Sequence, residues 1–107
     1  MDIYHDPSME RFHKTLAVAM KNDALLMIMD TLVKMAEVMI GKGEKERAVE
    51  MLTIALNYPM RPATRSRAEM LYTDLESEVC PRAIMDARVL AEDITLDDLM
   101  EAILGKQ

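Results

Sequence analysis

ALLMIMDTLVKMAEVMIGKGEKERAVEMLTIAL, residues 24 to 56, holds two helical patterns joined by a glycine-bounded turn, and the fold is read outward from it. In its first half Leu25, Met29, Leu32, Met35, Ala36 and Met39 recur at steps of three and four, while Leu26, Val33 and Ile40 form a second stripe beside them. A helix with two apolar stripes is covered on two sides. Gly41-Lys42-Gly43 supplies the backbone freedom that stops it. After Glu44, a second helix carries Ala48, Met51, Leu52 and Ala55 inward to Leu56. These two helices form a central hairpin over residues 24–58, closed by Asn57-Tyr58-Pro59 and Pro62, because proline cannot continue a helix.

Upstream, residues 1–8 read as a flexible polar start. Ser8 then caps a first helix over 9–21, with Phe12, Leu16, Ala19 and Met20 on one face. Asn22-Asp23 breaks it. Downstream, 63–104 carries the remaining helices. One starts near Ala63, buries Ala68, Leu71, Tyr72, Leu75 and Val79, and stops at Cys80-Pro81. Pro81 suits the first turn of the next, where Ala83, Ile84, Ala87, Leu90 and Ala91 share a face. Thr95-Leu96-Asp97-Asp98 is an acidic form of the capping box and announces the last, with Leu96, Leu99, Ile103 and Leu104 inward. Valine and isoleucine fall at helical spacing, so no strand competes. The expectation is an all-α domain over 1–107, with five or six antiparallel helices in a short stack of helical hairpins.

Composition narrows the function classes. Half of the 107 residues are hydrophobic and 30% are charged, enough to bury one core. A net charge of -6 opposes nonspecific adhesion to nucleic acid or to an anionic membrane. The acidic start MDIYHDPSME lacks the basic and apolar regions of a signal peptide, and the lone Cys80 cannot form an internal disulfide. A cytoplasmic protein is expected. The apolar run ALLMIM ends at Asp30, far short of the roughly 20 residues that cross a bilayer.

Leu32, Met35, Ala36, Met39, Gly43, Ala48, Leu52 and Ala55 stand where the segment from about Met29 to Pro62 resembles one tetratricopeptide repeat, with small residues at close helix approaches. Leu32, Met39 and Leu52 replace the usual aromatics, and Pro59 falls about one residue early for the closing proline. More widely, GKGEKERAVEMLTIALNYP, the arginine-rich RPATRSRAEMLYTDLESEVCPRAIMDAR and ITLDDLMEAIL make the run from Ala24 to Leu104 similar to the carboxy-terminal end of the helical-repeat regions of bacterial signalling ATPases and transcriptional regulators. That resemblance implies a scaffold for protein contacts. The catalytic and DNA-binding domains of those proteins lie elsewhere in their chains.

No catalytic constellation is present in the sequence, and neither a cofactor nor a metal is expected. Twelve methionines are an excess. Met35 and Met39, one turn apart, would suit Cu(I), and methionines also make adaptable binding surfaces, but most fall at core positions and replace leucine. His5 and His13 lack paired zinc spacing. Cys80 has no neighbouring histidine to activate it and reads as a quiet, buried or half-buried thiol. Glu92, Asp93, Asp97, Asp98 and Glu101 lack the alternation and central glycine of a calcium loop and read as caps and a solvated face.

Charge is polarised. Arg61, Arg65 and Arg67 cluster at a helix amino terminus, the wrong end for the macrodipole, whereas Glu69 to Glu101 contains ten acids against Arg82 and Arg88. The arginines are candidates for an acidic partner segment, a phosphate or the acidic tail of a second copy, set against solvated charges or internal ion pairs. A second candidate surface is apolar: a short stack leaves an end uncovered, and Phe12, Leu16 and Met20, with Met27 and Val33, offer apolar groups for a homodimer. The reading is a non-enzymatic protein-interaction or self-association module. Its rivals are a DNA-associated domain contacting phosphates through the arginines, which low aromatic content and negative charge disfavour, and a sensor with a methionine-lined pocket for a small molecule.

Overall fold

Each helical periodicity becomes a helix in the computed structural model, which describes residues 3–105. In chain order these are α1 (Glu10–Lys21), α2 (Leu25–Gly41), α3 (Lys45–Ala55), α4 (Pro62–Glu78), α5 (Pro81–Asp93) and α6 (Leu96–Leu104). No strand occurs among the described residues.

Local chemistry sets the boundaries. Asp23 turns the chain between α1 and α2 at φ 52°, a left-handed value that a short polar side chain tolerates. Gly43 makes the α2–α3 turn at φ 84°, where a Cβ would be strained although nothing lies near enough to block it. Pro62 and Pro81 occupy the first turns of α4 and α5, and the residues before them, Arg61 and Cys80, are extended. At α6 the capping box is complete. Thr95 Oγ1 accepts from the Asp98 N–H at 3.1 Å, and Asp98 Oδ2 accepts from the Thr95 N–H at 3.1 Å.

The start of the chain requires two corrections. Residues 3–8 are not a loose leader. They form two single-turn 3-10 helices, Ile3–His5 and Pro7–Met9, with Tyr4 buried beneath the Arg47 guanidinium at 4.9 Å and Asp6 3.6 Å from Lys42. An aromatic ring and a carboxylate hold the segment down where the polar sequence suggested solvation. Ser8 is not the cap of α1 either. Its N–H and hydroxyl both donate to Asp6, at 2.9 and 2.8 Å, so the Asp6-Pro7-Ser8 turn forms one step ahead of α1. Residues 1 and 2 lie outside the described residues.

The central hairpin is the centre of the core. Met29, Leu32, Met35, Ala36 and Met39 of α2, and Ala48, Met51, Leu52 and Ala55 of α3, are fully buried. Each large side chain among them contributes up to about 1.5–3 kcal/mol. Met9 and Met100 are buried too, so the methionine excess largely fills the interior; Met20, Met27, Met70 and Met85 are exposed.

α3 touches α2, α4, α5 and α6, while α2 touches α1 and α4, so the central hairpin meets every other α-helix. α6 also touches α1 and the Ile3–His5 turn, bringing the two ends of the chain together. A linear array of hairpins keeps its ends apart, whereas here the last helix closes over the first. The result measures 36 × 33 × 25 Å.

Candidate protein-interaction surface

All three arginines of the cluster are engaged within the chain. Arg61 Nε lies 3.3 Å from Asp30 Oδ2, and the Thr64 hydroxyl donates to Asp30 Oδ1. Arg67 forms a two-pronged pair with Glu37, Nε to Oε1 at 3.0 Å and Nη2 to Oε2 at 2.6 Å. Hydrogen bonding from Arg67 holds the Glu37 carboxyl below its ordinary range, and Glu37 in turn pushes the Arg67 guanidinium up. Arg65 turns inward and donates to the carbonyls of Tyr58 at 2.8 Å and Leu56 at 3.4 Å, just beyond the carboxy-terminal end of α3. A cation at the negative end of α3 is favourable, which explains why the arginines tolerate the amino terminus of α4. These side chains thus fasten α4 to α2 and α3, while Arg61 and Arg67 stay 57% and 45% exposed within their ion pairs.

The apolar candidates divide. Phe12, Leu16 and Val33 are buried within one chain, so their assignment to a dimer surface is withdrawn. The sequence read α1 as an uncovered end, but α2 and the returning α6 cover it. Met20 and Met27 remain exposed, and the two-residue step places Met20 across α1 from Val18.

One surface that remains open is the seam between α1 and α2. Arg11, Thr15 and Val18 follow one another along α1 at four- and three-residue steps, and Met27, Thr31 and Lys34 do the same along α2 in the opposite direction. Arg11, Phe12, Thr15, Thr31 and Lys34 line a hollow of about 290 Å³. Through Lys34 it adjoins a second hollow, of about 250 Å³, which Asp30, Val33, Glu37, Ala63, Thr64 and Arg67 complete. At one end of the seam the Arg11 guanidinium lies 5.2 Å over the Phe12 ring and shares the hollow with Lys34, and neither cation forms an ion pair among the described residues. Lys34 feels Glu37 one turn away, but Arg67 already occupies that carboxylate. In the middle, Thr15 donates to the Arg11 carbonyl at 3.1 Å and Thr31 to the Met27 carbonyl at 2.8 Å. At the other end Val18 and Met27 are 55% and 42% exposed. Neither Arg11 nor Lys34 was singled out from the sequence. Two cations 23 positions apart show no pattern until the hairpin brings them together.

Other chemical groups are less organised. Cys80 is exposed, contrary to the expectation of a buried or half-buried thiol, because Val79 takes the inward position and Cys80 begins α5 in extended conformation. It lines an open hollow of about 330 Å³ with Gly43, Glu44, Lys45, Glu46, Glu78 and Val79, crossed by a 3.5 Å Lys45–Glu78 pair. His5 and His13 meet edge to face, ring centroids 6.4 Å apart, a proximity their sequence spacing did not reveal, and His13 Nε2 is buried without a hydrogen-bond partner. Among the described residues no group of three histidine, cysteine or carboxylate side chains is placed to hold a metal ion. No helix among them is long and apolar enough to cross a membrane. Compared with protein-family models, curated proteins and solved structures, the chain has no match.

Proposed function

We propose that this chain is a non-enzymatic module of helical-repeat type that binds a protein or peptide along the α1–α2 seam. One observation carries the reading: Arg11 and Lys34 line one hollow with no ion pair among the described residues, and the same two helices expose Val18 and Met27 further along. An acidic group from a partner pairs with these two cations while Val18 and Met27 receive an apolar side chain. A repeat-like ancestry is supported by the α2–α3 hairpin and by the buried small residues Ala36, Ala48, Ala55 and Ala68. A cytoplasmic setting accords with the single unpaired thiol. The engagement of Arg61, Arg65 and Arg67 by internal partners weighs against phosphate contacts through that cluster.

The test is a nuclear magnetic resonance titration with a short synthetic peptide bearing paired acidic residues and a leucine. Shifts concentrated at Arg11, Thr15, Val18, Met27, Thr31 and Lys34 are expected, together with their loss in Lys34→Glu. Shifts at the amino terminus of α4 instead, or none at millimolar peptide, would sink the proposal.

A further inference from the structure

We infer that the partner of the α1–α2 seam is the outer face of α5 from a second copy of this chain, an inference that rests on the seam being a protein-binding surface. α5 buries Ile84 and Ala87 and presents Met85 and Val89 to solvent at 64% and 58% exposure, the most exposed large apolar side chains in the described structure. Glu92 follows on the same row and Asp93 lies beside it, both exposed and neither paired with a cation among the described residues. α5 thus carries apolar groups at one end and uncompensated acid at the other. The seam carries the exposed Val18 and Met27 toward one end and the cations Arg11 and Lys34, in no ion pair among the described residues, toward the other.

The spacings agree as well as the charges. Met85, Val89 and Glu92 stand at four- and three-residue steps, as do Met27, Thr31 and Lys34 on α2, and Arg11, Thr15 and Val18 cover the same seven positions in reverse. Each row spans about 10 Å at the helical rise. With α5 laid parallel to α2 and antiparallel to α1, Met85 meets Met27 and Val18, and Glu92 meets Lys34 and Arg11. Val89 then falls over Thr15 and Thr31. Both hydroxyls already donate to backbone carbonyls, so covering them with a methyl group strands no donor. The opposite orientation fails on chemistry, because it sets Glu92 against methionine and valine and Met85 against two cations.

Because the seam and the α5 face are different surfaces, the contact is heterologous: it closes as a pair if both copies satisfy it at once and otherwise propagates. That property gives a test that does not depend on the peptide experiment. Val89→Asp removes the α5 face, Lys34→Glu reverses the seam, and both positions are solvent-facing, so each variant is expected to keep the wild-type circular dichroism spectrum; Arg11→Glu replaces Lys34→Glu if it does not. By sedimentation at about 100 µM and physiological salt, wild type is expected to self-associate, and each variant to do so at least tenfold more weakly. Mixed in equal amounts, the two variants are expected to form a one-to-one complex, since one retains the seam and the other retains α5. A monomeric wild type would overturn the inference while leaving acidic-peptide binding at the seam standing. Self-association of wild type with no complex in the mixture would also overturn it, because a contact of identical surfaces cannot be rescued this way.

Discussion

Arg61, Arg65 and Arg67 are similar in sequence and unequal in structure, and their removal should rank accordingly. Arg65 donates to two carbonyls in the turn after α3, and the 2.8 Å bond to Tyr58 is the stronger. A charged donor on a carbonyl contributes about 1.5–3 kcal/mol, and a bond as long as 3.4 Å adds little, so Arg65→Met should cost about 2 kcal/mol while keeping most of the apolar stem. The same turn holds α6, because the Tyr58 hydroxyl accepts from the Leu96 N–H at 2.8 Å; loosening it loosens the helix that closes over α1. Arg67→Ala removes a well-aligned but exposed pair and should cost clearly less than Arg65→Met. Arg61, 57% exposed in its ion pair, should cost about 0.5 kcal/mol or less. For a domain of this size the Arg65 variant should melt roughly 10 °C lower, a separation that thermal and urea unfolding resolve. A neutral Arg65→Met, or an Arg61→Ala as costly as Arg65→Met, would refute the assignment of Arg65 as the cap of this turn.

Ala48→Leu and Ala36→Leu each insert bulk at fully buried positions in the central hairpin and should cost about 1–3 kcal/mol in urea unfolding, with little change in helix content. Glu50 is half-buried on α3, and desolvation raises its carboxyl above the ordinary 4.5. A raised acid penalises the folded state increasingly as pH rises through that range, so Glu50→Gln should raise the melting temperature at pH 7 and lose the advantage below pH 4.5. Glu37 is the opposite case: its lowered carboxyl stabilises the fold above the ordinary value and ceases to do so as pH falls through the depressed one. The deficit of Arg67→Ala at pH 7 should therefore shrink in acid; a deficit independent of pH would show that the pair contributes little by charge.

Helix content and most helix ends were legible in the sequence because they depend on near neighbours. Three- and four-residue periodicity, the prolines at 62 and 81, Gly43 and the Thr95–Asp98 box act within one or two turns. The core residues of α2 and α3 follow from the same spacing. The errors at the amino terminus have a common origin: Tyr4, Asp6 and Ser8 are polar or amphipathic, and what holds them is a cation 43 positions away, a lysine on the α2–α3 turn and a local Asp turn that competes with the expected serine cap.

The roles of the charged and apolar surface residues were decided by tertiary structure alone. Whether Arg61, Arg65 and Arg67 face a partner depends on where Asp30, Glu37 and the Tyr58 carbonyl lie, and those are set by the packing of α4 on α2 and α3. Whether Phe12 and Leu16 are a free surface depends on α6 returning to α1, which no local pattern encodes. Periodicity states which face of a helix is apolar, but not which helix covers it. The sequence by itself determined an all-helical chain of five or six helices and most of their inward faces, because hydrophobic spacing and turn chemistry are short-range, although Met20 and Leu26, placed on apolar stripes, are exposed; the closure of α6 over α1, the internal engagement of the arginine cluster and the meeting of Arg11 and Lys34 at one hollow were settled by contacts between distant segments.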